Sequence, residues 1–554
     1  MSLLGESRPE LPTENGGQGM SSTLGLVTLA TPKHIKEVAL TRATVHVLLE
    51  IEAASLTPVR EGLDLVAVLD VSGSMADDDD KIGGGGGQKL SKMKNAMTFL
   101  ISKLAPMDRL SIVTFASKEE KRCGLRAMKA DVKPALHDIV AGLDANGGTN
   151  ISAGLKTALD IIKGRKYTQG RTGNIFFLSD GRQTNGDAKL LDAGDVPVYT
   201  FGIGKDADCE LLSAIARNSR GGTFSTVKHG DELTKPFANL LGGAVTVVAQ
   251  DVELTLAPFL DDKNPLRLEK MEVVAGVGYY NADQVDMDTG TITIRFGNLF
   301  REERRKVVVK MTLRDGTKPP AVAFIRDEED HQDQDAAAAA PAANAKLVVF
   351  HGTFLKLALA SLTYTAQGKQ SSNGQADKLI TIIRTPTPTF TAGDAAVLTE
   401  LARLQHAALI SEARLLANQK KLGEAKDKLM DALNNVENVV ADDGGKMANM
   451  LRREVLHLLG LMKKTQELYE SEGRPYALAC ESSHGFQRYA GRGDGDGIRT
   501  FCTTRMDTYH QQAADFLDDT TKLPPTAEED VKVEVAANPI AAFSPEIASY
   551  IRNS

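Results

Sequence analysis

Residues 63–74, Leu-Asp-Leu-Val-Ala-Val-Leu-Asp-Val-Ser-Gly-Ser, decide the fold of the central part of the chain. The run from Leu63 to Leu69 is strongly apolar, and the polar stretch from Asp70 to Ser74 follows it directly. Apolar residues then recur at helical spacing over residues 90–104. A continuous apolar strand that leads into a helix is typical of a buried parallel sheet, so this stretch predicts an α/β domain.

The same order of strand and helix recurs further along the chain. We predict strands at 110–115, 174–178 and 196–203 and a helix at 151–162, which together indicate a doubly wound sheet. Ligands of such sheets bind beyond the carboxyl ends of the strands, where Asp70 and Asp180 are both expected. Either aspartate alone has the alternative role of capping the next helix, but two of them beside hydroxyl residues favour a ligand site.

Three short motifs at these strand ends carry a resemblance to a known family. They are Asp70-x-Ser72-x-Ser74, Gly147-Gly148-Thr149-Asn150 and Ser179-Asp180-Gly181. In this order they resemble the metal ion-dependent adhesion site of von Willebrand factor A domains, and the resemblance covers residues 61–228.

The resemblance implies a divalent-metal site made of Asp70, Ser72, Ser74, Thr149 and Asp180. It implies that the three hydroxyls coordinate the ion directly, Thr149 only in the ligand-bound state, and that the two aspartates act largely through water. Hard cations prefer such oxygen ligands, so we expect magnesium, with manganese or calcium as alternatives. The resemblance further implies that an exposed Asp or Glu of a partner protein completes the coordination shell.

The flanks of the central domain have the two-residue period of half-buried strands. Apolar and polar residues alternate over 45–51, 252–256, 292–294 and 307–313, with a further apolar run at 321–325. Because the first flank alone has too few strands for two packed sheets, we predict one β-sandwich of residues 23–60 and 246–350. The A-type domain, 61–245, is then inserted into it.

Helical periodicity replaces this pattern towards the carboxyl terminus. Apolar residues from Leu422 to Val440 and from Met447 to Met462 each fall on one helical face, with Gly444 and Gly445 between them. We predict a helical bundle over 351–515, with an irregular glycine-rich segment at 474–510.

The remaining segments are predicted to lie outside the packed domains. Residues 1–22 are predicted to be disordered, and residues 516–554 to be a loose tail. Residues 326–344 are predicted to be an acidic and alanine-rich linker, which precedes a last strand at 347–350. The acidic, glycine-rich stretch 77–87 is interpreted as a loop.

Composition excludes several classes of function. A net charge of −8 argues against a nucleic-acid-binding protein or one that coats anionic membranes. The sequence lacks an apolar stretch long enough to span a bilayer and an amino-terminal apolar signal, and its four cysteines lack C-x-x-C spacing, so we expect an intracellular, cytoplasmic protein. The histidines stand singly, and P-loop, H-E-x-x-H and G-x-S-x-G motifs are missing, which favours a protein that is not an enzyme.

Three hypotheses about function remain. The order of strands, A-type domain, strands and helices resembles plant proteins related to the wavy-growth RING ubiquitin ligases, although a RING needs about eight Cys or His ligands and residues 1–22 contain no Cys. We expect a metal-dependent protein-binding scaffold. The alternatives are a substrate-recognition or regulatory member of a ubiquitin-ligase system that pairs with RING-bearing relatives, and a metal-assisted hydrolase.

The tripeptide Arg492-Gly493-Asp494 is interpreted as an ordinary loop, not as an adhesion ligand or an internal ligand of the metal.

Overall fold

The computed structural model describes residues 26–54, 60–76, 88–183, 187–228, 233–259, 268–274, 284–317, 353–366, 368–372, 377–389, 393–438, 445–463, 465–493 and 498–537. The strands are Leu26–Leu29 (β1), Glu37–Ala39 (β2), Ala43–Ala54 (β3), Gly62–Asp70 (β4), Arg109–Phe115 (β5), Glu119–Ala127 (β6), Arg171–Ser179 (β7), Val198–Ile203 (β8), Phe224–Val227 (β9), Val247–Pro258 (β10), Leu268–Val273 (β11), Gln284–Val285 (β12), Ile292–Phe300 (β13), Arg304–Leu313 (β14), Thr353–Ala366 (β15), Lys369–Ser372 (β16) and Lys378–Thr385 (β17). The α-helices are Gln88–Lys103 (α1), Lys133–Ala141 (α2), Ile151–Lys163 (α3), Cys209–Arg217 (α4), Thr234–Ala244 (α5), Ala395–Asn418 (α6), Leu422–Glu437 (α7), Lys446–Met462 (α8), Gln466–Leu468 (α9), Arg474–Phe486 (α10), Thr504–Asp518 (α11) and Ala527–Ala537 (α12).

The central sheet has the strand order β6-β5-β4-β7-β8-β9. Its neighbouring strands run parallel, apart from β6, which is antiparallel to β5. The chain leaves β4 for β5 on one side and later continues from β7 to β8 and β9 on the other. The winding therefore changes direction between β4 and β7, and the predicted doubly wound fold is confirmed.

The residues of β4 alternate between two apolar cores. Leu65, Ala67 and Leu69 pack into one core with residues of α1 and α5, whereas Val66 and Val68 pack into the other with residues of α3 and α4. Every residue of β4 is buried, because helices cover both faces of the sheet. This burial explains why the strand is an almost uninterrupted apolar run.

Two outer sheets flank the central one along the chain. The first has the order β1-β3-β14-β11, and the second has the order β12-β13-β10-β15-β17-β2 with β16 beside β15. β3 precedes the central sheet in sequence and β14 follows it, yet the two are paired, for example through Leu49 and Val307. Apolar side chains of both outer sheets belong to one core, in which Leu49 of the first sheet accompanies Leu254 of the second.

The helical region begins later than the sequence predicts. Residues 353–366 and 378–385, which we expected to be helical, are the paired strands β15 and β17. Leu355, Leu357, Ala358 and Ala360 of β15 are common in helices, but here they fill the core between the outer sheets. The predictions for 1–22, 77–87, 321–325, 326–344 and 347–350 lie outside the described residues.

Helices α6, α7 and α8 follow the predicted pattern, with Leu429 and Leu433 of α7 and Val455 and Leu458 of α8 in a shared core. The prediction of an irregular segment at 474–510 is wrong in part, because α10 and the start of α11 lie within it. Within the predicted loose tail, residues 527–537 form helix α12, whose buried Asp530 lies 3.0 Å from Lys103 of α1, and residues 538–554 lie outside the described residues. None of the described helices has both the length and the apolar character needed to cross a membrane.

Residues 482–492 cover the edge strand β9 of the central sheet. Thr226 N donates to Gly491 O at 2.8 Å, Gly491 N donates to Ser225 Oγ at 2.9 Å, and Phe224 N donates to Ser482 Oγ at 2.9 Å. The exposed edge of a sheet is open to unwanted pairing, and these bonds satisfy it from within the chain. The carboxyl-terminal helices are therefore fastened to the central domain.

Candidate metal centre

Asp70 is the last residue of β4, and both oxygens of its carboxylate are held in place. Oδ1 accepts a hydrogen bond from Ser72 N at 2.9 Å, and Oδ2 accepts one from Ser179 Oγ at 2.6 Å. The side chain is fully buried at the point where the winding of the sheet changes direction. Its orientation is thus fixed by the turn that follows β4 and by the end of the neighbouring strand β7.

Ser72, Ser74 and Asp180 form a short chain of polar contacts. Ser72 Oγ lies 3.0 Å from Ser74 Oγ, and Ser74 Oγ donates to Asp180 Oδ1 at 2.8 Å. Residues 73–76 form a 3-10 turn, which directs the two serine hydroxyls towards Asp180 at the end of β7. The turn after β4 and the end of β7 therefore present their oxygens to the same small region.

Thr149 reaches this region from the loop that precedes α3. Gly147 has a φ of +79°, and its carbonyl oxygen accepts from Gly73 N at 2.9 Å, which ties this loop to the turn after β4. A Cβ placed on Gly181 would lie 3.2 Å from Thr149 Oγ1 and 3.5 Å from Ser74 Oγ, so these two hydroxyls border one point. A side chain at residue 181 would crowd that point, which explains the glycine.

The structure thus brings together all five residues predicted to bind the metal. Their oxygens come from hydroxyls and carboxylates, the hard donors that magnesium and calcium prefer. Burial, together with the charge of Asp180, raises the pKa of Asp70 to about 6, although the hydrogen bonds from Ser179 and Ser72 act in the opposite direction. Two carboxylates held together away from water favour a cation between them, so the donor set fits a divalent ion.

The predicted ligand set leaves out two residues that contact these carboxylates. Ser179 bonds Asp70, and Lys89 of α1 donates to Asp180 Oδ2 at 2.8 Å. Ser179 was within reach of the sequence analysis, because it directly precedes Asp180. Lys89 could not be found in this way. The stretch 77–87 separates it from Ser74, so the sequence does not indicate where Lys89 lies relative to the turn after β4.

A second group of potential ligands lies in the helical region, and the prediction of singly placed histidines missed it. His406 Nε2 and His484 Nε2 lie 3.0 and 2.8 Å from Glu454 Oε2, and all three side chains are buried. Arg492 Nη1 donates to Glu454 Oε1 at 2.6 Å, and Arg403 Nη1 faces His484 Nδ1 at 3.4 Å. A donor at Nδ1 assigns the proton of His484 to Nε2, so this imidazole donates to Glu454 without a metal ion.

The interpretation of Arg492-Gly493-Asp494 as a loop and not an adhesion ligand agrees with the burial of Arg492. The Arg492 side chain is 1% exposed and bound to Glu454, so it is not accessible to another protein. Asp494 lies outside the described residues.

Family comparisons identify two parts of the chain. Residues 65–183 match the model of the von Willebrand factor type A domain, and residues 446–515 match the model named VWA / Hh protein intein-like. The first match contains all five candidate metal ligands. The second contains Glu454, His484 and Arg492.

Relatives match nearly half of the chain. An uncharacterized protein of Synechocystis is 30% identical over 262 residues, which are 45% of this chain and 57% of that protein. The E3 ubiquitin-protein ligase WAV3 of Arabidopsis thaliana is 26% identical over 268 residues, 46% of this chain and 31% of the ligase. The aligned regions thus span less than two thirds of either relative.

A solved structure shares the fold well beyond the central domain. The von Willebrand factor type A protein of Catenulispora acidiphila superposes with a TM-score of 0.55 at 17% identity, covering 78% of this chain and 91% of that one. The doubly wound sheet agrees with the matched family model, and residues 65–183 therefore belong to a von Willebrand factor type A domain.

Proposed function

We propose that the protein is a divalent-metal-dependent binding scaffold that captures an Asp or Glu side chain of a partner protein at the A domain. The observation that carries this proposal is the convergence of Asp70, Ser72, Ser74, Thr149 and Asp180. Ser72 Oγ, Ser74 Oγ and Asp180 Oδ1 form a chain with spacings of 3.0 and 2.8 Å, and Thr149 Oγ1 borders Ser74 across Gly181.

The chemistry of the donors supports binding, because the predicted direct ligands are neutral hydroxyls. An ion held by hydroxyls and water keeps much of its positive charge and therefore attracts an incoming carboxylate. The residues of the chain hold the hydroxyls in place: Ser179 and Ser72 fix Asp70, and the bond from Gly73 to Gly147 fixes the Thr149 loop. Magnesium is the expected ion, with manganese or calcium as alternatives.

Calorimetric titration of the full chain with Mg²⁺ and Mn²⁺ tests the site. The wild-type protein is expected to bind one ion, and Ser74→Ala to bind it at least about tenfold more weakly, because a ligand and its bond to Asp180 are both lost. Ser102→Ala is a matched control, since the Ser102 hydroxyl donates to Thr98 O and lies near the carboxyl-terminal end of α1. If the wild-type protein takes up neither ion, the proposal is wrong.

Capture of a carboxylate is tested separately. An array of peptides that contain Asp or Glu, each paired with its Asn or Gln counterpart, is probed with the protein in Mg²⁺ and in chelator. Binding should require the acidic residue and the ion together, and Ser74→Ala should lose it. Equal binding to the amide counterparts would contradict the proposed role of the metal.

A second candidate function is substrate recognition or regulation in a ubiquitin-ligase system. It is favoured by the alignment of nearly half of this chain with the plant ligases WAV3 and WAVH1. In this candidate function, the ligase activity comes from a RING-bearing relative that is paired with this chain. Co-purification with such a relative in Mg²⁺, and its dependence on an intact A domain, tests this candidate.

We also infer the domain organisation from the strand pairing. The shared core of the outer sheets supports one β-sandwich, interrupted by the A domain at 61–245 and extended to β17. Cys123, Cys209, Cys480 and Cys502 form no disulfide bond with one another, and this supports our proposal of a reducing, cytoplasmic location. Limited proteolysis tests the proposed domain organisation. Cell fractionation tests the proposed location.

A further inference from the structure

We infer that Lys89 acts as a built-in cation of the metal centre, which lowers the affinity for the divalent ion and keeps the loaded site positively charged. The ammonium group lies 2.8 Å from Asp180 Oδ2, on the side of the carboxylate opposite the bond from Ser74. Its side chain is 5% exposed, and that of Asp180 is fully buried. This inference rests on the proposed metal-dependent function and deepens it.

The position of Lys89 is fixed by packing. The residue lies in the first turn of α1, and a Cβ on Gly204 would come within 3.6 Å of its Cε and 3.8 Å of its Nζ. Gly204 follows β8 with a φ of +73°, a backbone conformation that favours glycine, and lies directly beside the lysine stem. A lysine at the surface swings freely in water, whereas this one is held against the metal centre.

Charge counting shows what the ammonium changes. Asp70 and Asp180 contribute two negative charges, and Lys89 offsets one of them. A divalent ion then leaves the group with a net charge of about +1, whereas without the lysine the charges would cancel. The loaded site therefore still attracts one carboxylate, and metal and carboxylate strengthen each other's binding by linkage.

The repulsion between the ammonium and the ion is the measurable consequence. The ammonium of Lys89 and the divalent ion would both lie beside Asp180. Because Lys89 and Asp180 are buried, water and salt screen the repulsion between these two cations only weakly. Removing the lysine charge should raise metal affinity by about tenfold or more, which corresponds to ~1.4 kcal/mol. The same change should reduce the preference of the loaded site for anions.

Four variants of the full chain test this inference. Lys89→Met and Lys89→Gln remove the charge, and Lys89→Arg keeps it. Lys94→Met is the matched control, because Lys94 lies on the same helix but donates to Ala141 O at the surface. Mg²⁺ and Mn²⁺ affinities are measured by calorimetry in chloride and again in acetate, and the thermal midpoint is recorded with and without Mg²⁺.

The expected result is tighter metal binding in Lys89→Met and Lys89→Gln, and wild-type affinity in Lys89→Arg and Lys94→Met. Acetate should strengthen metal binding more in the wild-type protein than in Lys89→Met. Because Asp180 loses its partner, the metal-free Lys89→Met protein should melt at a lower temperature and regain more from Mg²⁺ than the wild type. Lys89→Gln replaces Lys89→Met if the latter does not fold.

The outcomes separate this inference from the proposed function. If the wild-type protein binds Mg²⁺ and both neutral variants bind it equally or more weakly, the role of Lys89 is wrong and the metal site stands. If neither the wild-type protein nor any variant binds Mg²⁺ or Mn²⁺, the metal site and the role of Lys89 are both wrong.

Discussion

Arg492 donates to Glu454 at 2.6 Å, and the two side chains are 1% and 0% exposed. Arg492 belongs to the segment that covers strand β9, whereas Glu454 lies on α8. Their ion pair therefore joins the helical region to the edge of the A domain. Thr500, His406 and His484 also contact the Glu454 carboxylate. Burial raises the pKa of Glu454, but the charge of Arg492 and the contacts with His484 and His406 outweigh it and hold this pKa well below its usual range.

Glu454→Gln should destabilise the protein by about 3–5 kcal/mol, because it removes the carboxylate charge that faces the buried guanidinium of Arg492. Urea unfolding measures the change. The control is Glu437→Gln, whose pair with Arg452 is half-exposed and should be worth less than about 1 kcal/mol. Equal losses in the two variants would contradict the assigned role of the buried pair.

Stability should fall with acidification between about pH 6.5 and pH 4 through His484. Burial lowers the pKa of His484 to about 4, against 6.5 in the unfolded chain, while Glu454 opposes this shift. In that window the unfolded state binds a proton that the folded state does not, so stability rises with pH, by up to ~3 kcal/mol across it. Below about pH 4.5 the protonation of Glu454 adds to the loss, because its folded pKa is depressed.

The pH profile of the free energy of unfolding tests this expectation in the wild-type protein and in His484→Gln. The variant keeps a donor near Glu454 but does not titrate, so its profile should be flatter between pH 6.5 and pH 4. His137→Gln removes a partly exposed histidine whose pKa is also lowered by burial, and its profile should change less. Parallel profiles for wild type and His484→Gln would exclude His484 as the source.

Ser179→Ala should weaken Mg²⁺ binding by about tenfold without unfolding the protein. Ser179 does not belong to the predicted ligand set, but its hydroxyl orients Asp70 at 2.6 Å, and losses of this size are common for residues that position a metal ligand. Ser111→Ala is the control, because it removes a buried hydroxyl of strand β5 that donates to Cys123 O of strand β6. Calorimetry measures the affinity for Mg²⁺, and circular dichroism checks that the variant is folded. An unchanged affinity for Mg²⁺ would show that Asp70 does not need the hydrogen bond from Ser179.

Asp530→Asn should release helix α12 from the A domain. Lys103 is fully buried and lies 3.0 Å from Asp530, and burial lowers the pKa of the lysine while the charge of Asp530 raises it. Loss of the carboxylate charge leaves the lysine poorly compensated, so we expect faster hydrogen exchange over 527–537 and a destabilisation of about 3 kcal/mol. Asp518→Asn, at an exposed position of α11, should leave the exchange of α12 unchanged.

The central domain was predictable because its determinants are local. The apolar run at 63–69 predicts a strand buried on both faces, and the short motifs at Asp70, Thr149 and Asp180 follow or precede such elements directly. In a parallel sheet, residues just past the carboxyl ends of the strands lie at the same edge. The positions of the five candidate ligands in the sequence were therefore enough to predict that they lie close together. The period of 3.6 likewise predicted α7 and α8.

Contacts between distant parts of the chain were decided only by the tertiary structure. β15 has residues that suit a helix, and its strand conformation comes from pairing with β10 and β17. Lys89 meets Asp180 across 91 positions, and Arg492 meets Glu454 across 38, which no local pattern encodes. Local periodicity and turn chemistry act over a few residues, whereas the partner of a buried charge depends on how whole elements pack, and that packing places Lys89 beside the metal centre.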